Sequence, residues 1–539
     1  MPKKSKGIVM YLAMFGLLIV LLFAMMSLDK PVSTLKYYQV LDYFKQGEVA
    51  EYQIDYNSRT LTLRLEGKDQ LVDYQLASIP QFNEDIKPYI EQYEQTNDAT
   101  FKRNYLPAKE PSLLATLLPT LLLLGGMALL TIVPRQVLGG PKFTAPSDQL
   151  TKGIIGVGGI GKSSYHFTSN KDCRLVAVCD VDRKHLESAV ALGQKKFGET
   201  LEAYSDFRRL ITDPNIDIVH IATPPHWHGI MAVEAAKAGK DIWCEKPMTR
   251  TIGEGKRVAE AVQRNNRIFR LNTWFRFKDT FYGLGTTVEP LKKLIDSGLL
   301  GWPLKVTISG TTGFTWKFFW VGRENLAPEP VPAELDYDMW LGPAPYKPYN
   351  KHRVHSTFRG YWDYDGGGLT DMGQHYMDPV QYLLGKDETS PVKIEVDAPQ
   401  QHPDAVGIWR KIVYTYDDGC QIVLEGEGFE SEGDTPYIEG PLGKVYKGFR
   451  CTIPDVMEKL AEMPDPEPQN TDFLECVRTR RKFALDEQIG HRSSTLVNLG
   501  ACALRLNRTL HFDPDTQLFI GDDAANRLID QPMRGPWHI

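Results

Sequence analysis

Asp371 and His375 lie four residues apart in the run Gly366-Gly367-Gly368-Leu369-Thr370-Asp371-Met372-Gly373-Gln374-His375. On a helix that spacing places them on one face. A carboxylate beside an imidazole fixes its tautomer and raises its basicity. Such a pair suits removal of a hydroxyl proton while hydride leaves the same carbon. The three preceding glycines permit close approach of backbone to a ligand. A second chemistry-bearing run is Gly156-Val157-Gly158-Gly159-Ile160-Gly161-Lys162-Ser163. It reads as G-x-G-x-x-G, a dinucleotide turn, and also as G-x-x-x-x-G-K-S, a P-loop. Both cradle phosphate on backbone N–H groups at a helix N-terminus. One leads to hydride transfer, the other to phosphoryl transfer.

The elements around the glycine turn separate the two. Gly153-Ile154-Ile155 reads as a buried strand before it, and a short helix is expected after it. Arg174 to Cys179 is a second apolar strand ending at Asp180. A carboxylate at that strand's tip, about twenty residues past the turn, receives ribose hydroxyls. Arg183 close by would meet a 2′-phosphate, so NAD and NADP both stay open. Residues 216–222 form a third strand, followed by Thr223-Pro224-Pro225-His226-Trp227-His228. An Ala-rich helix follows, then the strand Asp241-Ile242-Trp243-Cys244 and Glu245-Lys246-Pro247. This alternation predicts a Rossmann-type, doubly wound parallel sheet over 152–271. Ligands collect at the carboxyl ends of such strands, where Thr223, His228 and Lys246 fall. No D-E-terminated apolar run is found to hold Mg²⁺ opposite a P-loop, so Lys162-Ser163 reads as coincidence. His226 and His228 lack a third metal ligand nearby, and no metal site is expected.

From 272 to 539 the pattern changes to strands at 304–311, 392–396, 411–416 and 421–425, separated by long polar loops. An α+β substrate domain with a large, mostly antiparallel sheet is expected, its open face available to a homo-oligomer. Helices are expected at 470–477 and 491–506. Arg276, Trp316, Trp340, Tyr349, Arg353, His355, Arg359 and Trp362 are of types that stack on or hydrogen-bond a sugar ring. Arg276, Trp362 and His375 are the substrate-binding candidates.

The net charge of −6 gives no electrostatic reason to expect nucleic acid. Seven scattered cysteines without a C-x-x-C pair suggest reduced, buried thiols. Uncharged apolar runs at 8–26 and 111–134 are each long enough to cross a bilayer as helices. Lysines precede the first and basic residues follow the second, which predicts a multi-pass cell-membrane protein with both ends in the cytoplasm. The reading is therefore a tail and first span at 1–34, an extracytoplasmic α+β domain at 35–110, a second span at 111–134 and a linker at 135–151. Within the outer domain, 37–44 has helical spacing, and 51–56 and 60–65 alternate as strands.

Two resemblances add to this. Tyr37 to Val49, the two strands and Leu113-Leu114-Ala115-Thr116-Leu117-Leu118-Pro119 resemble the membrane-anchor and extracytoplasmic region of FtsH-type AAA zinc metalloproteases, over about 1–142. The H-E-x-x-H of those proteases is absent. From 152 onward the chain resembles the Gfo/Idh/MocA (glucose–fructose oxidoreductase/inositol dehydrogenase) family. The matching pieces are the glycine turn, Val178-Cys179-Asp180, Ala222-Thr223-Pro224 with His228, Ala238-Gly239-Lys240, Glu245-Lys246-Pro247 and the D-x-x-x-H of Asp371 and His375. The resemblance implies an NAD(P)-dependent oxidoreductase acting on a sugar or polyol. Gly156, Gly158, Gly159, Ile160, Gly161, Asp180, Arg183, Thr223, Pro224, His228, Glu245 and Lys246 would hold the cofactor. Lys246, Asp371 and His375 would be catalytic. Competing expectations are an NAD-dependent glycosidase of the same family, a membrane-anchored P-loop ATPase, and a non-catalytic cofactor or sugar sensor.

Overall fold

A computed structural model describes residues 35–68, 71–108, 149–273, 275–277, 284–428 and 434–539. Two compact units divide the chain at Val133–Pro134. In the first, α1 (Tyr37–Lys45) precedes strands β1 (Val49–Asp55), β2 (Thr60–Leu65) and β3 (Leu71–Gln75), then α2 (Ile79–Asn97) and β4 (Lys102–Leu106). The strands order as β3-β2-β1-β4, with β4 parallel to β1. The alternation of β1 and β2 buries Tyr52, Ile54, Leu61 and Leu63 against Phe44 of α1 and Phe82 and Ile86 of α2. Sequence reading found α1, β1 and β2 but not α2. Ser78 caps α2, its side chain accepting from Gln81 N at 3.3 Å.

The expected multi-pass membrane location is overturned. No helix among the described residues is long and apolar enough to cross a membrane. The two apolar runs, 8–26 and 111–134, lie outside the described residues.

The second unit opens with the expected parallel sheet: β5 (Leu150–Ile155), β6 (Cys173–Cys179), β7 (Glu202–Tyr204), β8 (Ile218–Ile221), β9 (Asp241–Glu245) and β10 (Phe269–Asn272). Their order, β10-β9-β8-β5-β6-β7, reverses direction at β5, the switch point where ligands bind. Helices α3 (Arg183–Phe197), α4 (His228–Lys237) and α5 (Ile252–Arg264) cover its faces. α3 starts where Asp182 accepts from Lys184 N and His185 N, and stops at Gly198 with φ +70°. The helix expected straight after the glycine turn is not formed. Only a 3₁₀ turn, Ile160–Lys162, follows it. Lys162 Nζ donates to Ser188 Oγ on α3 at 3.1 Å. It is thereby turned away from the turn, which removes the geometric basis of the P-loop reading.

The substrate half builds a nine-stranded sheet from β11 (Lys305–Ile308), β12 (Lys393–Asp397), β13 (Lys411–Thr415), β14 (Gln421–Glu425), β15 (Ile438–Glu439), β16 (Lys444–Tyr446), β17 (Arg450–Cys451), β18 (Leu510–Asp513) and β19 (Leu518–Phe519). Its order is β17-β16-β15-β11-β14-β13-β12-β18-β19. All its pairings are antiparallel except β11 with β14. Two long helices, α6 (Gly367–Leu383) and α7 (Glu487–Leu506), pack together in its core. α6 is buried over nearly its whole length, including the polar stripe of Asp371, Gln374, His375 and Asp378.

The glycines that open α6 make room for protein, not for a ligand as the sequence suggested. A Cβ at Gly368 would stand 1.6 Å from the Trp316 carbonyl oxygen, and one at Gly366 2.4 Å from Thr370. Gly367 takes φ +67°. A strap of residues 323–364 has its own core of Leu335, Trp340, Leu341, Tyr349 and Tyr361. It docks on the loop after β6 through Arg183 N to Glu334 O at 2.9 Å and Asp336 N to Val181 O at 3.0 Å.

Candidate functional site

The carboxyl ends of β5, β6 and β8 frame a cleft of about 340 Å³. Gly156, Gly158, Gly159, Ile160, Asp180, Thr223 and Pro224 line it from the nucleotide half. The strap supplies the facing wall with Trp340, His355, Phe358 and Arg359. Each glycine has a separate reason. Gly156 has φ +88°, and a Cβ there would lie 2.7 Å from Ala222 O. A Cβ at Gly161 would stand 2.0 Å from Gly156 O. Gly159 has nothing within 4 Å of its Cβ direction, which leaves an uncluttered cradle for a ligand backbone. That cradle, with a carboxylate at the next strand's tip, fits a dinucleotide. Asp180 is itself held by backbone: Oδ2 accepts from Val157 N at 2.8 Å and Oδ1 from Asp182 N at 2.9 Å.

Two expected cofactor residues sit elsewhere. Arg183 is paired with Glu187 on the exposed side of α3 at 3.3 Å and is not among the residues lining the cleft. The one-residue offset from the Asp182 cap turns it outward. Glu245 is 4 % exposed beneath Lys246, accepting from Asn272 Nδ2 at 2.7 Å. Burial pushes its carboxyl up to about 7 against the pull of Lys246 and Asn272. His228 begins α4 as expected, but as a fastener. Its ring nitrogens lie 2.8 Å from the carbonyls of Pro247 and Thr223, so it ties the Thr223-Pro224 loop to the Glu-Lys-Pro loop.

The structure brings Lys246 to Asp371, on the helix that also carries His375. Lys246 at the end of β9 donates from Nζ to Asp371 Oδ1 at 2.9 Å. Asp371 and His375 are both on α6 and both buried. The same Oδ1 accepts from Arg359 Nε at 2.9 Å. Burial would raise the Asp371 carboxyl, but the Lys246 and Arg359 cations outweigh it and hold it well below the usual range. His375 is held well below the usual imidazole range by burial first and then by Lys246, with Asp371 pulling the other way. It is therefore neutral. Arg359 had been read only as a ring-stacking candidate. Its place as the second cation on Asp371, and as the link from that pair to the cleft wall, was missed. No spacing rule connects residue 359 on a 3₁₀ segment to a helix face twelve residues later.

Two substrate candidates are structural. Arg276 is 1 % exposed, and its guanidinium is saturated by Asp378 at 2.9 Å and Asp387 at 2.6 Å. Those carboxylates raise it further above its ordinary range against the cost of burial. Trp362 is buried, donating from Nε1 to His402 O at 3.2 Å. It lines a separate small cavity with Arg250 and Asp365, not the cleft beside the glycine turn.

The sequence model for the oxidoreductase family's NAD-binding Rossmann fold (GFO_IDH_MocA) matches residues 150–273. The model for the same family's C-terminal alpha/beta domain matches residues 284–539, so the two span more than half of the chain. The chain belongs to the Gfo/Idh/MocA oxidoreductase family. Residues 150–273 are thus a Gfo/Idh/MocA NAD-binding Rossmann domain. Inositol 2-dehydrogenase of Salmonella paratyphi B is 33 % identical over 159 residues, 29 % of this chain and 44 % of that protein. The scyllo-inositol 2-dehydrogenase (NAD(+)) of Bacillus subtilis is 30 % identical over 247 residues, 45 % of this chain and 56 % of that protein. Myo-inositol 2-dehydrogenase of Thermotoga maritima is 27 % identical over 239 residues, 44 % and 55 % of the two chains. The chain spans about half the length of these curated relatives. The family matches begin at residue 150, so the FtsH-type resemblance of 1–142 gains no support from them.

Proposed function

We propose that this Gfo/Idh/MocA protein is an NAD-dependent oxidoreductase acting on a CH–OH carbon of a sugar or polyol. The observation that carries the reading is the convergence of Lys246, Asp371 and His375 from two halves of the chain, joined through Arg359 to the wall of a cleft that holds a dinucleotide glycine turn. Gly156, Gly158, Gly159, Asp180, Thr223 and Pro224 would hold NAD, which supplies a hydride acceptor when bound. The three relatives named above are inositol dehydrogenases, which favours a polyhydroxylated ring.

The chain's own residues then divide the work. His375, buried and neutral, has a lone pair with which to take the hydroxyl proton. Lys246 carries three donors, one of them given to Asp371, and holds the alcohol oxygen as negative charge grows on it. Asp371 fixes Lys246 and Arg359 in place and offsets their charge. Its action on His375 is electrostatic, raising the imidazole's basicity.

The test is direct. The purified chain is offered NAD with a panel of inositols and hexoses, and NADH formation is followed by absorbance. His375→Ala should lose turnover by about 10²–10⁴-fold while retaining NAD binding by fluorescence titration. Undiminished turnover in that variant would sink the assignment of the base.

A further inference from the structure

The wall of the cleft at its ribose end carries a cluster that hydride chemistry leaves unused. Asp182 is the N-cap of α3 and His185 its third helical residue, so both side chains sit over one helical turn. His355 reaches them from the strap, across the cleft. The ligating atoms of the three residues all lie within 4.8 Å of one another. His355 Nε2 is 3.4 Å from Asp182 Oδ2, and the two imidazole rings are 4.7 Å apart. Two ligands bound to one tetrahedral zinc at ~2.0–2.2 Å stand roughly 3.4 Å apart. His355 is held at φ +54°, the left-handed region that a residue with a Cβ seldom adopts.

Charge favours a cation here. Asp182 Oδ1 is spent on capping the helix, leaving Oδ2 toward His355. Asp180 adds a second carboxylate, its Oδ2 3.7 Å from His185 Nδ1. The nearby cations are turned to their own partners: Arg183 to Glu187, Lys184 to Glu334 and Lys162 to Ser188. Two imidazoles and a carboxylate select a borderline transition metal over Mg²⁺ or Ca²⁺.

We propose that Asp182, His185 and His355 bind a divalent transition-metal ion of the zinc class, and that the bound ion and the dinucleotide exclude one another. The ion would clasp the strap to the loop after β6, and it would occupy the wall that Asp180 offers to a ribose. This replaces the sequence expectation of no metal site. The metal clause stands apart from the proposed function; the exclusion clause rests on it.

The experiment titrates Co²⁺ into the full, metal-free chain without nucleotide. One equivalent per chain is expected, with the intense visible absorption of a tetrahedral site. His355→Asn, which tolerates a left-handed backbone, and His185→Ala should each weaken uptake about tenfold or more, while their circular-dichroism melts match the parent. Addition of NAD should discharge the cobalt. No stoichiometric uptake, or uptake unchanged in both variants, would overturn the site. Full retention of cobalt by NAD-saturated protein would overturn the exclusion. Failure of NAD to bind the metal-free chain would count against the proposed function and leave the uptake result standing.

Discussion

Two glycine runs, one at the cleft and one at the start of α6, answer to different neighbours. In the first, Gly156 and Gly161 let backbone pack on backbone, but at Gly159 a side chain would meet nothing. Gly366 to Gly368 removes space, because the Trp316 carbonyl sits where the Cβ of residue 368 would be. The first run keeps one position open beside the cleft, the other lets α6 press into a core. A glycine says only that something comes close or that φ is positive. What comes close is decided by the layer of the fold in which it sits.

The difference can be broken by substitution, beginning with the largest effect. Gly368→Ala forces the Trp316 backbone to move and should cost more than about 4 kcal/mol, read as a collapse of the urea midpoint. A variant melting within a degree of the parent would show that α6 is not seated as described. Next, Asp371→Asn deprives Lys246 and Arg359, 11 % and 21 % exposed, of the carboxylate that both of them bond. A loss of about 3–5 kcal/mol is expected, together with lost turnover, whereas a purely catalytic role would spare stability.

The third expectation concerns acid. Buried His226 and His491 are held down, by burial before anything else, to about 3 and 4. The folded state keeps them neutral while the unfolded chain protonates near its ordinary value. Their contribution is therefore complete above about pH 6.5 and falls by roughly 1.4 kcal/mol per pH unit per histidine below it. Denaturation midpoints measured between pH 7 and 5 check the sign: stability that rises on acidification would contradict it. The smallest effect on the fold belongs to Gly159→Ala, within about 1 kcal/mol. That variant should nonetheless weaken NAD binding several-fold, since its methyl enters the cradle. Equal affinity would mean the ligand's backbone passes elsewhere.

The parallel sheet was legible because its strands are apolar runs ended by Asp180, Thr223 and Glu245, each at a carboxyl tip. The four longer strands of the second sheet showed their alternation. The outer strands β15 to β19 run two to four residues, too short to show a period. Lys246, Asp371 and His375 were found through spacing and family likeness together. Arg359 was missed because its partner is set by the strap's path, which no local pattern encodes. Arg276 and Trp362 misled because guanidinium and indole serve ion pairs and cores as readily as sugars. The two runs taken for membrane spans lie outside the described residues, and the location built on them falls with the absence of a spanning helix among the rest.

The three-residue 3₁₀ turn after the glycine loop has a consequence for how the protein would grip a diphosphate. A full helix there would aim a column of aligned peptide dipoles at the anion. A single turn has almost no such column. Attraction must then come from short-range contacts with individual amide hydrogens, which fade within an ångström or so of misfit. Recognition at this point becomes a matter of shape more than of field, and the strap that closes the opposite wall takes on the share of holding that a longer helix would have provided.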